Sequence, residues 1–236
     1  MEGTATALTA PALLRLMWLA SPALPVGGFS YSEGLEAAVD SARVTDEASA
    51  RVWLSDQLLL VQQRAELPLV AAAYRAWARN DAARVADLNA WQRITRESSE
   101  SRQQTEQMGR SLADWLRKRR ADDPRSATLV SLQPAPTWPV AWALAAEASG
   151  VPLPEALAGF GFGWAEAMIQ AAVKAVPLGQ AAGQRLLESL VERLPAVIDA
   201  ALAIADRSAA LRVNFAPMLA ILCARHEAQY SRLFRS

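Results

Sequence analysis

The spacing of apolar residues constrains the fold of this chain more than any other feature. Leu54, Leu58 and Val61 recur at intervals of three and four residues, so they share one face of an α-helix. The same interval continues in Leu67, Val70, Ala71 and Tyr74, in Val85, Leu88, Trp91 and Ile94, and in Met108, Leu112, Trp115 and Leu116. The alternation of a β-strand is sustained nowhere. We therefore predict an all-α protein, a bundle of about ten helices.

The same pattern of apolar residues predicts the helices of the second half of the chain, and its absence marks a polar segment before them. Further helices are predicted around Trp138–Ser149, Pro154–Val176, Leu178–Leu194, Ala196–Ser208 and from Pro217 to the end. Thr95–Gln107 contains no large apolar side chain, so it is predicted to be a solvated helical face or a mobile surface segment, with a charged interface as the alternative.

The domain organisation is predicted to be simple. The cluster of Pro134, Pro136 and Pro139 marks the best candidate for a boundary between two halves. Nothing repeats at a fixed period, and we favour one domain over residues 1–236. Residues 1–23 would be the N-terminal segment and first helix, and residues 224–236 a C-terminal tail.

Composition narrows the classes of function. Hydrophobic residues make up 52% of the chain, which is enough for a core. Lys plus Arg and Asp plus Glu are both 24, so there is no basic excess to neutralise a nucleic acid backbone. An apolar chain without net charge favours an obligate protein complex. The acidic N-terminus, the interrupted apolar stretches and the single Cys223 favour a cytoplasmic protein with no secretory signal, membrane helix or internal disulfide.

Motifs for catalysis and nucleotide binding are missing. Gly159, Gly161 and Gly163 form G-x-G-x-G inside helical sequence, whereas a dinucleotide site needs G-x-G-x-x-G directly after a strand. We interpret Gly159 and Gly163 as a bare helix face for close packing, with a subunit interface as the alternative. The chain contains no G-K-S/T loop and no G-x-S-x-G elbow. We therefore predict a protein that is not an enzyme and binds no cofactor.

The segment Leu24–Glu36 combines an apolar loop with a helix start. Ser30 and Glu33 have the spacing of a capping box, which would place Tyr31 in the first turn of a helix. If exposed, Tyr31 and the apolar loop would be a partner-binding patch, and if buried they would belong to the core. Glu33 and Glu36, three residues apart, are predicted to be solvated carboxylates rather than an acid/base pair.

Cys223 and His226 are the residues best suited to bind a metal. Their three-residue spacing places a thiol and an imidazole on one helical face. Two ligands make half a site, which a symmetric dimer could complete. A buried cysteine and a hydrogen-bonded histidine are the favoured interpretation.

The tail His226–Ser236 is predicted to be an amphipathic helix. Tyr230, Leu233 and Phe234 lie at i, i+3 and i+4, and arginines surround them. Tyrosine and arginine dominate the energetics of protein interfaces, so the tail would dock into a groove on another protein. The alternative is that it packs back on its own domain.

Four ordered blocks carry a resemblance to a known family. They are LPVGGFSYSEGLE at Leu24–Glu36, the Arg96-Glu97 pair, AVKAVPLGQ at Ala172–Gln180 and HEAQYSRLF at His226–Phe234. In these blocks the chain resembles the urease accessory protein UreF family. Single residues depart from the family pattern, such as Ala228, where threonine is frequent, and Ala175, where leucine is frequent.

The resemblance implies a function in protein assembly. It implies an all-α homodimer that joins a UreD-type protein, called UreH in some organisms, and recruits the UreG-type GTPase to apo-urease for nickel insertion. The chain would be non-catalytic and would gate GTP hydrolysis or its coupling to metal transfer. The alternative is a direct nickel carrier that uses Cys223 and His226 across the dimer.

The resemblance also implies partner-binding residues, to which we add Tyr31 from the apolar loop. Carried over by motif, they are Lys174 and Gln180 in the third block and Tyr230, Ser231, Arg232, Leu233 and Phe234 in the tail. The tail would become ordered on the UreD-type partner, and Arg232 would help to build the surface for the GTPase. Lys174 would offer a positive charge to a phosphate transition state, as arginine fingers do.

Overall fold

The computed structural model describes residues 8–207 and 212–236. These residues form helices and no strand, which confirms the all-α prediction. The helices are α1 Ala10–Leu19, α2 Leu35–Asp40, α3 Glu47–Gln57, α4 Leu67–Ala78, α5 Ala82–Ile94, α6 Ser99–Arg119, α7 Pro124–Val130, α8 Trp138–Ala148, α9 Leu153–Ala175, α10 Gln180–Val191, α11 Leu194–Arg207 and α12 Pro217–Glu227. A π-helical segment, Leu58–Glu66, joins α3 to α4. Ser208, the predicted end of α11, lies outside the described residues.

Helices α4 and α8 form the centre of the core. Every residue from Pro139 to Ala146 is buried, so α8 is apolar on all sides and is enclosed by its neighbours. Trp77 and Trp142 are both fully buried, and their indole N–H groups donate to the carbonyls of Val140 at 3.0 Å and Ala156 at 3.4 Å. The two largest core side chains therefore bury apolar area without leaving a donor unpaired.

One buried apolar cluster extends from Ala12 to Phe234 and includes residues of both halves of the chain. The proline cluster between α7 and α8 therefore does not separate two cores among the described residues. The assignment of one domain to 1–236, and the homodimer, stay predictions.

The glycines of α9 serve packing inside the chain. A Cβ atom on Gly159 would lie 2.4 Å from the Cδ1 of Leu16, so α1 can approach α9 only because this side chain is absent. Gly163 faces Ala20 at the end of α1, with ordinary contact distances. The packing interpretation is thus confirmed. Helix α9 is long and apolar enough to cross a membrane, but 61% of its apolar 18-residue stretch is buried in the fold, as expected of a core helix.

The polar segment Thr95–Gln107 differs from its prediction. Helix α6 begins at Ser99, and Ser98 and Thr105 are buried. Gln104 and Gln107 bond to the segment that precedes α2, and Glu100 bonds to the C-terminal tail. This face of α6 is therefore covered by other parts of the chain, because its side chains pair with polar groups brought from far along the sequence.

Candidate partner-binding surface

The start of α2 contradicts the predicted capping box. Helix α2 begins at Leu35, after Gly34 with φ +77° and Glu33 with φ +49°. The Glu33 carboxylate accepts hydrogen bonds from the indole N–H of Trp164 at 3.0 Å and from the Gln104 amide at 2.9 Å. Glu33 cannot reach back to cap the helix, because its side chain is used in these tertiary contacts. The left-handed glycine makes the turn instead.

Tyr31 precedes the helix and is buried, with 3% of its surface exposed. Its hydroxyl donates to the Oε1 of Gln107 on α6 at 2.8 Å, and burial raises its pKa. Of the loop residues, Leu24 and Val26 are also buried, whereas Phe29 is 65% exposed. Tyr31 is thus a core residue in this structure, and a partner contact by its side chain stays a prediction. Phe29 is the exposed aromatic of this loop, and the sequence pattern did not single it out.

The tail is not helical. Helix α12 ends at Glu227, and residues 228–236 form turns and irregular structure. Tyr230 is fully exposed and Leu233 is 71% exposed, whereas Phe234 is 7% exposed and belongs to the core cluster. The i, i+3, i+4 stripe predicted for these residues is therefore wrong, and two of its members point away from the third.

Glu36 explains why the tail leaves the helical conformation. Its carboxylate accepts hydrogen bonds from the backbone N–H of Leu233 at 2.7 Å and of Phe234 at 3.0 Å. The backbone N–H of Arg235 donates to the carbonyl of Ser30 at 2.8 Å. These donors bond to α2 and its approach instead of to preceding carbonyls of a helix. Glu36 is 8% exposed, so the prediction of a solvated carboxylate is wrong.

His226 lies between two carboxylates and is fully buried. Its Nε2 is 3.1 Å from an oxygen of Glu36, and its Nδ1 is 2.7 Å from an oxygen of Glu100. The other oxygen of Glu100 pairs with Arg232. Ionised carboxylates only accept hydrogen bonds, so both contacts are satisfied together when both ring nitrogens of His226 carry a proton. The single histidine of the chain is thus committed to internal hydrogen bonds.

Cys223 lies about one helical turn before His226 on α12. It is 8% exposed, and a Cβ on Gly34 would lie 3.2 Å from its Sγ. Burial raises the pKa of the Cys223 thiol to about 12, so the thiol stays protonated at neutral pH. No group of three or more His, Cys, Asp or Glu side chains suited to a metal ion occurs within residues 8–207 and 212–236. The buried-cysteine interpretation is favoured, and the direct nickel carrier is not.

Lys174 and Gln180, from the third block, lie on different helices. Lys174 is exposed in the last turn of α9, and its Nζ is 5.9 Å from the ring centroid of Phe234, at the outer limit of a cation–π contact. Gln180 is exposed in the first turn of α10. The structure therefore brings Lys174 to the tail and leaves Gln180 at the start of the next helix.

The exposed residues of the tail and the loop form one candidate surface. We call it the tail surface and define it by Phe29, Lys174, Tyr230, Arg232 and Leu233. The hydrogen bond from Arg235 to Ser30 brings the loop residue Phe29 beside the tail. The tail surface thus combines exposed aromatic and leucine side chains with cations, a composition typical of protein interfaces.

A small cavity of about 140 Å³ lies under the apolar loop, lined by residues of α1, α6, α8 and α9. Its polar side includes Glu66, which is 3% exposed and accepts hydrogen bonds from Arg96 at 2.8 Å and from Gln92 at 3.1 Å. Burial raises the pKa of the Glu66 carboxyl. In the sequence, Glu66 is indicated by its position directly before the apolar residues that start α4. Arg96 of the second block thus points inward to Glu66.

Together the fold and the tail surface define an all-helical protein that offers aromatic and basic side chains on an ordered tail. A family model described as UreF matches residues 44–191. The chain is 60% identical over 228 residues to the urease accessory protein UreF of Methylibium petroleiphilum, a match that covers 96% of this chain and 95% of that protein. It is 55% identical over 231 residues to the UreF of Paracidovorax citrulli, covering 97% and 91%.

A third relative is a longer protein whose name combines UreE and UreF. The bifunctional urease accessory protein UreEF of Bordetella bronchiseptica is 46% identical over 230 residues, which cover 97% of this chain and 53% of that protein. These similarities, which extend over most of the chain, define a urease accessory protein. The chain belongs to the UreF family.

Proposed function

We propose that this chain is a non-catalytic scaffold of urease maturation that works in the cytoplasm as a homodimer. It binds a UreD-type protein, also called UreH, and with it recruits the UreG-type GTPase to apo-urease and gates GTP-dependent nickel insertion. The observation that carries the proposal is the tail itself, in which Tyr230, Arg232 and Leu233 are exposed and Phe234 lies near Lys174. Exposed aromatic, arginine and apolar side chains of this kind are typical anchors for a docking partner.

The tail residues have separate roles in the proposal. Tyr230 and Leu233 are apolar anchors for the UreD-type protein, and Ser231 lies between them on the exposed part of the tail. Phe234 holds the tail to its own domain, because it is buried against the core and lies under Lys174. Arg232, with its side chain 38% exposed while paired to Glu100, contributes to the composite surface for the GTPase.

The UreEF fusion extends the proposed set of partners. Two proteins that occur as one polypeptide in a relative often work in the same assembly as separate chains. We therefore place a UreE-type protein in the assembly that this chain serves. Co-purification of a tagged UreE-type protein with this chain and the other accessory proteins tests that placement, and its absence from the purified assembly would remove it.

Deletion of Tyr230–Ser236 tests the docking role. We expect a helical chain that no longer co-purifies with the UreD-type partner, as measured by circular dichroism and size exclusion after co-expression. The matched control is Arg225→Ala, which changes an exposed arginine on α12 and leaves the tail intact. Retained complex formation by the deletion variant would remove the docking role.

Arg232→Ala tests the division of roles within the tail. We expect recruitment of the GTPase to fall more than binding of the UreD-type protein, because the anchors Tyr230 and Leu233 remain. Equal loss of both would show that Arg232 acts only by holding the tail through its ion pair with Glu100.

A further inference from the structure

The cavity under the apolar loop has the size of a site for a small molecule. Its volume of about 140 Å³ is close to that of engineered apolar cavities, about 150 Å³, which bind benzene. Pro22 and Phe29 line it and are exposed, whereas Gln62 and Glu66 line it and are buried. The cavity therefore leads from an exposed rim to a buried polar end, and one substituted aromatic ring would fill it.

One wall of the cavity is aromatic. Trp138, Trp142 and Phe160 line it and pack on one another, with ring centroids 5.5 to 6.1 Å apart. Trp164 lines it as well, and its indole N–H donates to Glu33. Because the faces of aromatic rings carry partial negative charge, a wall of this kind suits an apolar or a cationic ligand.

The buried end of the cavity contains an acceptor without a donor. Gln62 is 3% exposed, and its Oε1 accepts no hydrogen bond from the described residues. Gln62 and Glu66 both belong to the π-helical segment Leu58–Glu66, and such segments occur frequently at functional sites. A buried acceptor that stays unpaired is costly, so Gln62 is suited to accept a hydrogen bond from a ligand.

The charges around the cavity favour a positively charged ligand. Three carboxylates line it, those of Glu33, Glu66 and Glu166, against the single guanidinium of Arg96. Arg96 is paired with Glu66 at 2.8 Å, whereas neither Glu33 nor Glu166 forms an ion pair within the described part of the chain. Burial raises the pKa of the carboxyl groups of Glu66 and Glu166. A cation in the cavity would supply the positive charge that these carboxylates lack.

We propose that this cavity binds a small organic cation, a primary ammonium group on an apolar or aromatic body. The ammonium donates to the Oε1 of Gln62, the surrounding carboxylates balance its charge, and the body packs against the aromatic wall. Within residues 8–207 and 212–236 the acidic side chains form no group suited to a metal ion, so the aromatic wall decides for an organic cation. None of the described tail residues 228–236 lines the cavity, so this inference does not rest on the docking function.

Benzylammonium is the probe for the cavity, and benzyl alcohol and benzoate are analogues of similar size with a neutral and an anionic head group. Each is titrated into the full-length chain and followed by calorimetry and by the NMR signals of the indole N–H groups of Trp142 and Trp164. We expect benzylammonium to bind saturably with a Kd of about 1 mM or tighter, and both analogues to bind at least roughly tenfold more weakly. The comparison is strict, because the Nε of Arg96 lacks an acceptor and both analogues offer one.

Gln62→Met tests the position of the ammonium group. It removes the acceptor and keeps a long side chain, so benzylammonium should bind roughly tenfold more weakly. The fold should tolerate the change, because the Oε1 of Gln62 has no partner among the described residues. The matched control is Gln57→Met, which replaces a buried glutamine at the end of α3 that does not line the cavity. The control should bind the probe like the wild type.

Several results would overturn the proposal. Lack of saturable binding of benzylammonium would reject the site, and equal or tighter binding of benzoate or benzyl alcohol would reject the cation. An unchanged affinity of Gln62→Met, or an equal loss in Gln57→Met, would show that the probe does not bind at Gln62. If Gln62→Met does not fold, Glu166→Gln is the second variant, since this carboxylate is partly exposed. It should weaken benzylammonium binding relative to benzyl alcohol, and an unchanged ratio of the two affinities would reject the proposal.

Discussion

Leu233 and Phe234 are adjacent residues with opposite environments, so alanine at each position separates tail packing from partner binding. Phe234 is 7% exposed and packs on the core, whereas Leu233 is 71% exposed. Replacing a buried phenylalanine by alanine typically costs about 3 kcal/mol or more. Because the tail bonds to Glu36 of α2 and Glu100 of α6, outside the central α4 and α8, we expect this cost to appear as local release of the tail. That corresponds to roughly a hundredfold change in the ratio of docked to released tail.

Leu233→Ala should behave in the opposite way. An exposed side chain contributes within about 0.5 kcal/mol to stability, so tail exchange should stay close to that of the wild type. If Leu233 is an anchor for the UreD-type protein, its loss should weaken binding by about 1 to 2 kcal/mol, roughly tenfold. Hydrogen exchange of the tail and calorimetric titration with the partner measure the two effects on the same samples.

The pair of variants has a clear refuting result. If Leu233→Ala releases the tail as strongly as Phe234→Ala, the assigned orientation of the tail is wrong. If Leu233→Ala leaves the tail docked and the partner affinity unchanged, then Leu233 is not part of the interface.

Three further predictions follow from buried groups. Gly109→Ala should lower the free energy of unfolding by about 3 kcal/mol, because its Cβ would lie 2.1 Å from the carbonyl oxygen of Pro136. Gly179→Ala, with no atom within 4 Å, is the control, and equal urea midpoints would contradict the contact of α6 with the segment that precedes α8. Cys223, whose pKa is raised to about 12, should react with iodoacetamide at pH 8 only on unfolding, and alkylation at the rate of a free thiol would contradict its burial. Burial raises the pKa of Glu66, so the native state binds the carboxyl proton more tightly than the unfolded chain does, and the free energy of unfolding should fall as pH rises from 4.5 toward the raised pKa. Glu66→Gln should flatten that part of the pH profile, and an unchanged profile would contradict the raised pKa of Glu66.

Much of the fold could be predicted from local patterns. The three- and four-residue spacing identified most helices of the described chain, because that periodicity follows from the geometry of the α-helix itself. It did not indicate α7, which lies in a segment predicted to be a loop. Ile94 shows the limit of the method: it completes a predicted stripe but is 73% exposed at the end of α5. The prediction of a buried Cys223 and a hydrogen-bonded His226 was also confirmed.

The candidate site was predictable only in part. The block resemblance identified the tail and Lys174, and the structure places Lys174 beside Phe234. It did not indicate Glu36 as a tail contact or Phe29 as the exposed residue of the loop. Carboxylates three residues apart usually face solvent, and nothing in the local sequence indicates that a distant backbone segment covers them.

The sequence by itself determined the all-α class, the family and the position of most helices, because these depend on residues a few positions apart or on blocks read in order. Only the tertiary structure decided the conformation of the tail. Residues 228–236 carry a helical pattern, but Glu36, roughly 200 residues earlier, accepts the N–H groups that a helix would use internally. The same competition decided the start of α2, where Trp164 and Gln104 bind the Glu33 carboxylate that would otherwise cap the helix. Hydrogen bonds between distant segments prevail in both places because the groups are packed against the core, where an unpaired donor or acceptor costs more than a local pattern contributes.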